Sequence, residues 1–288
     1  MSNLIIPEYH HNYWFYRSPQ DDNSWIVTEM KTGQFLAYYP ALAGINSNEV
    51  GDIERAFTDY KDRPEYFMYN NIYNLELPDV VGPTDLDILS DMYNRLLIGG
   101  ILNKYVTMYH DANIGIRRAQ PILEWLEANK FYESPGSTKF HDSYKGGLLL
   151  HSLRVLKLMV GLKALPYFQY EPIESCVITA LTHDWCKIGL YHIYSKNVKN
   201  ESTGQWEKQE AYRREITGIP LGHGELSLYY LMKFAPVTDA EALAIRWHMS
   251  HWYASSVIED DLQTADENYP LVHMLQFADQ LSITEYAN

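Results

Sequence analysis

The sequence predicts an all-α fold, a helical bundle preceded by a small accessory region holding a short β-hairpin and a helix. Three observations predict it. From about residue 112 onward, apolar residues recur at helical spacing. Helix punctuation brackets those runs: Ser134-Pro135-Gly136, Pro172, and Thr238-Asp239-Ala240-Glu241. The chain before that is aromatic, rich in Asn and Asp and irregular, with Pro64, Pro78 and Pro83 interrupting any long helix. Residues 1–105 are therefore assigned to the accessory region and 106–288 to the helical domain.

Within the accessory region, SWIVTEMKTGQFLAYYP reads as two short strands around the turn Lys31-Thr32-Gly33. TDLDILSDMYNRLLIGGIL reads as a helix capped by Thr84. The bundle proper begins with IRRAQPILEWLEANKFY, an amphipathic helix, and KGGLLLHSLRVLKLMVGLKAL follows, ended by Pro166. Pro172 stands at the first helical position of PIESCVITALTHDWCKIG. The polar stretch YSKNVKNESTGQWEKQEAYRREITGIPLG is expected to be a long surface loop. GELSLYYLMKF is helical, Thr238 and Glu241 form a capping box that opens DAEALAIRWHMSHW, and NYPLVHMLQFADQLSITEYA is the last helix.

Charge and composition narrow the function classes. Acidic residues outnumber basic ones 37 to 23, for a net charge of −14. That balance speaks against broad electrostatic binding to nucleic acid, duplex DNA above all, or to anionic membrane, because either needs a basic surface. A small phosphorylated substrate remains compatible, because a bound cation supplies positive charge locally. Two cysteines, Cys176 and Cys186, give no disulfide framework and fit a reducing compartment. The N-terminus has no basic stretch followed by an apolar one, and GGLLLHSLRVLKLMVGL carries His, Arg and Lys inside its apolar run. A cytoplasmic protein with no membrane span is expected.

Helical spacing turns several polar residues inward. His151 shares an apolar stripe with Val155, Leu158 and Leu162, beside Arg154 and Lys157. Asp184 shares a face with Val177 and Ala180, with His183 next to it, and Asp279 lines up with Leu271, Leu275 and Ala278. His248 follows Ala244 by one turn, and His223 opens a helix in Gly222-His223-Gly224-Glu225. One buried histidine is usually a hydrogen-bonded core residue, and one inward aspartate usually pairs with Arg or Lys. Here basic residues are sparse on the stripes, and several helices aim His and Asp at one interior. A cation answers the whole set. Imidazole mixed with carboxylate suits Mn, Fe, Co, Ni or Zn better than Ca. His183 and Asp184, adjacent on an ideal helix, cannot both face one point squarely. They can serve two neighbouring ions, with Asp184 bridging.

The order of these residues resembles the HD superfamily of metal-dependent phosphohydrolases over about residues 112–288. GGLLLHSLRV is similar to the superfamily's first-His helix and LTHDWCKIG to its HD-x-x-K signature; GHGE, AIRWHM and FADQLS resemble its later His, His and Asp motifs. The resemblance implies an HD-domain bundle with two divalent transition-metal ions. His151, His183, Asp184 and Asp279 would hold the first, and Asp184, His223 and His248 the second. It also implies that Lys187 contacts substrate oxyanions, against the plainer reading of a solvated lysine at a helix end. STKFHDSYKGG is similar to the lead-in of one branch, in which His141 would bind substrate or donate a proton; a loop histidine can equally be inert. Arg246 either meets phosphate or neutralises a nearby acid, and His251 is a weaker alternative ligand than His248. Many relatives carry an acid directly before the first His, and this chain has Leu150 there.

The implied activity is hydrolysis of a phosphomonoester or phosphodiester in a nucleotide or short oligonucleotide, by a hydroxide bridging the two metals. Asp184, Lys187 and His141 would carry the chemistry, with Lys187, Arg246 and His141 on the substrate. The same six ligands would serve a diiron oxygenase of the myo-inositol oxygenase type equally well, and hydrolysis is preferred as the commoner activity of the superfamily. The accessory region is left to cover the pocket or to mediate homo-oligomerisation.

Overall fold

The computed structural model describes residues 8–10, 13–17, 25–29, 35–39, 72, 75–82, 84–109, 121–139, 141–215, 218–250 and 259–285. The turn Lys31-Thr32-Gly33, the start of the helix expected from residue 116, and His251 lie outside them. In the accessory region, β1 (Glu8–His10), β2 (Tyr13–Arg17), β3 (Trp25–Glu29) and β4 (Phe35–Tyr39) pair in that order as an antiparallel sheet. The expected hairpin is its β3–β4 half, with Val27 opposite Ala37.

The helical part comprises α1 (Asp85–Tyr109), α2 (121–128), α3 (Gly147–Leu162) and α4 (Ile173–Thr182). It continues with α5 (His223–Met232), α6 (Asp239–Trp247), α7 (Glu259–Asn268) and α8 (Pro270–Glu285). The chain is mostly helical, but the all-α expectation is corrected twice. One correction is the accessory sheet, with four strands rather than two. The other is the presumed surface loop, which is a hairpin of β5 (Tyr191–Lys199) and β6 (Trp206–Arg214). Its strands are almost wholly exposed, so no apolar alternation marks them in the sequence. α7 was likewise hidden, because EDDLQTADEN buries only Leu262 and Ala265. Pro172 sits one residue earlier than expected, as the N-cap of α4.

α3 is the central helix, packed against α8, α4 and α1, and α6 lies against α8 and α5. Leu149, Leu153, Leu156, Val177, Leu181, Ile245, Leu271 and Leu275 are fully buried between them. Each contributes about 1.5–3 kcal/mol by leaving water. Thr238 and Glu241 form the expected capping box at the start of α6. Among the described residues no helix is long and apolar enough to cross a membrane.

Two glycine pairs let the chain approach itself closely. Gly146, with φ +82°, caps α3, and a Cβ on Gly147 would lie 2.0 Å from the Asp142 carbonyl oxygen. A Cβ on Gly224 would lie 2.3 Å from the Arg246 carbonyl oxygen, so the start of α5 rests directly on the end of α6. Gly222 makes room for the Glu225 carboxylate in the same turn. This close approach brings the His223 and His248 rings to 5.2 Å between centroids.

Candidate metal centre

Five helices deliver polar side chains to one buried point. His151 comes from the first turns of α3, His183 caps the end of α4, His223 begins α5, His248 caps the end of α6, and Asp279 lies along α8. α4 ends at Thr182, and Asp184 has φ −105° and ψ 16°, outside the α-helical region. The chain has therefore left the helix where His183 and Asp184 stand, and both side chains do reach one point: His183 Nε2 is 3.5 Å from Asp184 Oδ2. That corrects the expectation drawn from an ideal helix.

The distances divide the Asp184 carboxylate. Oδ2 lies 3.3 Å from His151 Nε2 and 3.5 Å from His183 Nε2, whereas Oδ1 lies 2.7 Å from His223 Nε2 and 3.6 Å from His248 Nε2. Asp279 Oδ1 joins the first group, 3.2 Å from His151 Nε2. Within that group His151 Nε2 and His183 Nε2 are 3.2 Å apart. His151 Nε2 thus has three polar neighbours at 3.2–3.3 Å. One ring nitrogen carries either a proton or a lone pair and can satisfy one of them. Ligand atoms about 2.1 Å from a shared metal ion stand about 3.0–3.4 Å apart, the spacing of the three His151 contacts, while His183 Nε2 stands 3.5 Å from Asp184 Oδ2 and 3.9 Å from Asp279 Oδ1.

Hydrogen bonds on the far side of the rings set their tautomers. His183 Nδ1 donates to the Ala180 carbonyl at 2.8 Å and His248 Nδ1 to the Ile245 carbonyl at 2.7 Å. Ser282 Oγ donates its proton to the Asp279 carbonyl at 2.6 Å, leaving its lone pairs for His151 Nδ1 at 3.2 Å. Each neutral ring then points an Nε2 lone pair inward, as a metal ligand must. Ser282, i+3 from Asp279, was missed in the sequence; the spacing was the available signal. His248 Nε2 and His141 Nε2 are buried with no hydrogen bond, and Asp279 Oδ1 has the His151 ring nitrogen as its nearest polar partner, at 3.2 Å. Three groups of His and Asp could each hold a cation: His151–His183–Asp184, His183–His248–Asp279 and Asp184–His223–His248. Orphaned polar atoms and a mixed donor set fit a transition metal.

Burial and charge pull the site's groups apart. Burial drives His183 down to about 3, with the neighbouring carboxylates offsetting it only in part, and it also lowers His223. His151 goes up to about 9, because Asp184 and Asp279 outweigh its burial. Burial alone would raise both carboxyls, yet Lys187 and His183 hold Asp184 well below the usual range, and His151 does the same for Asp279. Without a cation, a proton occupies the site at His151, and metal would displace it.

The remaining candidates sit as follows. Lys187 is buried, with Nζ 2.5 Å from Asp184 Oδ2, so the solvated reading of this lysine is wrong. His141 lies over His151, ring centroids 5.3 Å apart, and is pushed down to about 4 by burial, then by His151 and Lys187. Its loop is pinned: Asp142 bonds Arg154 at 3.0 Å and Tyr144 at 2.6 Å, and Ser137 donates to the His141 carbonyl at 2.6 Å. Arg154, expected merely beside the apolar stripe, is wholly buried. Arg246 stacks on Trp247 and pairs with Glu225 Oε1 at 2.8 Å, so a nearby acid is present as one of its two readings requires. Compared with known protein families, curated proteins and solved structures, the chain matches none.

Proposed function

We propose that the protein is a metal-dependent phosphohydrolase acting on a nucleotide or short oligonucleotide, with two divalent transition-metal ions as cofactors. The observation that carries this reading is the sharing of one buried carboxylate, Asp184, between two imidazole pairs. His151, His183, Asp184 and Asp279 would hold one ion, and Asp184, His223 and His248 the other. When bound, the ions supply an activated water and neutralise charge developing on phosphoryl oxygens.

The chain's own residues do the rest. Lys187, whose ammonium reaches Asp184 Oδ2, is placed to trade that contact for a phosphate oxygen. His141 Nε2, buried and unpaired beside His151, is within reach to hold a leaving-group oxygen or pass it a proton. Asp142 and Arg154 fix the loop that presents it. Ser282, Ala180 and Ile245 keep three imidazoles in ligand orientation.

The test is turnover of a panel of nucleotide monoesters and diesters by protein loaded with Mn, Co or Ni, with and without dioxygen. Release of phosphate or nucleotide at equal rates under both atmospheres is expected. No release, together with oxygen consumption by an iron-loaded protein, would contradict it and point to the oxygenase chemistry.

A further inference from the structure

Among the described residues, most of the β5–β6 hairpin lies open to solvent. Nine residues in each strand extend about 30 Å, yet both faces of its outer part are open to solvent. An isolated two-stranded ribbon is marginal in water, and this one also exposes Trp206 at 70% and Ile193 at 61%. Its charge runs against the rest of the molecule. It carries five of the chain's 23 basic residues but only three of the 37 acids, on a protein of net charge −14.

The register puts Trp206, Ile193 and three of the five basic residues on one face, and Lys196 and Arg213 on the other. Lys199 lies opposite Trp206, Asn197 opposite Lys208, Ile193 opposite Tyr212, and Tyr191 opposite Arg214. Directly paired residues share a side of the ribbon, so Lys199, Trp206 and Lys208 lie on it towards the tip and Tyr212, Tyr191 and Arg214 towards the root. That face contains one acid, Glu210, opposite Ser195. The root joins the candidate centre: the Leu190 amide bonds the Lys187 carbonyl at 3.1 Å, and the Glu215 amide returns to the Leu190 carbonyl at 3.0 Å. Tyr191 is within electrostatic reach of Lys187 and Asp184.

We infer that the β5–β6 hairpin is a binding arm for a single-stranded oligonucleotide, leading its end from Trp206 and Lys199 past Lys208, Tyr212 and Arg214 to Lys187. The exposed Trp206 ring and the half-buried Tyr212 and Tyr191 rings, beside Lys199, Lys208 and Arg214, match unpaired bases joined by phosphates. Duplex DNA is a poorer match, because its bases are stacked away and the acidic body of the protein repels it. The inference rests on the phosphohydrolase reading for what happens at the root, and it narrows the substrate from any nucleotide to a strand with a free end.

The test is fluorescence anisotropy of a labelled ten-nucleotide oligothymidylate titrated with the full chain, run beside turnover of the p-nitrophenyl ester of thymidine monophosphate. Trp206→Ala is expected to weaken oligonucleotide binding about tenfold. Lys199→Glu with Lys208→Glu is expected to weaken it further and to flatten the log–log salt slope by about 1.4. Both variants should turn over the small ester at the wild-type rate. Equal binding by wild type and variants would overturn the arm, as would a ten-nucleotide strand binding no better than a dinucleotide. A dimer dissolved by Trp206→Ala, with no oligonucleotide bound, would overturn it in favour of self-association. Loss of binding in the variants, with no ester turned over by any protein, would keep the arm and reject the hydrolase; ester turnover with unchanged binding would do the reverse.

Discussion

Glu241 and Asp184 are both carboxylates buried in one helical core, and their surroundings differ in kind. Glu241 Oε1 accepts from Ser175 Oγ at 2.8 Å, and Oε2 accepts from the Thr238 amide at 2.8 Å and pairs with the buried Lys104. That cluster ties α1, α4 and α6 together and leaves no buried side-chain polar atom without a hydrogen bond. Around Asp184, His248 Nε2 and His141 Nε2 both lack one. Buried charge that serves folding closes on itself; a cluster left open inside a close-packed core is arranged for something that arrives from solvent.

The sharpest way to break this contrast is to exchange the two carboxylates' fates. Asp184→Ala should abolish turnover and metal retention while far-UV circular dichroism stays helical. Unchanged metal content in that variant would remove the distinction. Glu241→Gln should act the other way, lowering unfolding free energy by about 3–5 kcal/mol because Lys104 is left buried and unpaired. Its folded fraction should still bind metal at the wild-type ratio, as read by denaturant melts beside metal analysis.

Smaller effects refine the comparison. Gly224→Ala should cost about 1–3 kcal/mol, since its Cβ would strike the Arg246 carbonyl and push α5 off α6. It should also lower metal affinity at the proposed His223–His248 site more than at the proposed His151–His183 site. Lys187→Ala should raise KM about tenfold at constant metal content, the loss of one charged hydrogen bond to substrate. An unchanged KM would confine Lys187 to neutralising Asp184.

Acidity gives the mildest signal, in metal-free protein. His183 and His141 are held down to about 3 and 4, below their ordinary 6.5, so the unfolded chain binds more protons and stability falls as pH drops below about 6.5. The depressed Asp184 and Asp279 carboxyls deepen that loss below about pH 4. His151, raised to about 9, contributes fully below 6.5 and loses its contribution as pH rises through 9. Melting temperature should therefore peak near pH 6.5. A curve still rising between pH 7 and 9 would contradict these assignments.

Much of the candidate centre was legible because helical spacing shows which polar residues share a face with Leu and Val. His151 and Asp279 are such cases, and the Thr238–Glu241 box is local enough to read directly. What stayed hidden depends on distant partners or on exposure. Nothing near Glu241 in sequence announces Lys104, 137 positions away. The break in helix after Thr182, which turns His183 and Asp184 to one point, has no proline or glycine to mark it. The β5–β6 hairpin buries too little to carry an alternating pattern, and Arg154 looks like a surface residue until Asp142 folds back over it.

The most direct test of the central claim is a count of metal ions per chain, by mass spectrometry of protein loaded with Mn or Co and then desalted, for wild type and His223→Ala. Two ions in the wild type and one in the variant are expected, since His151, His183, Asp184 and Asp279 remain to hold the first. No retained metal in the wild type, or equal counts in both proteins, would contradict a carboxylate shared between two ions.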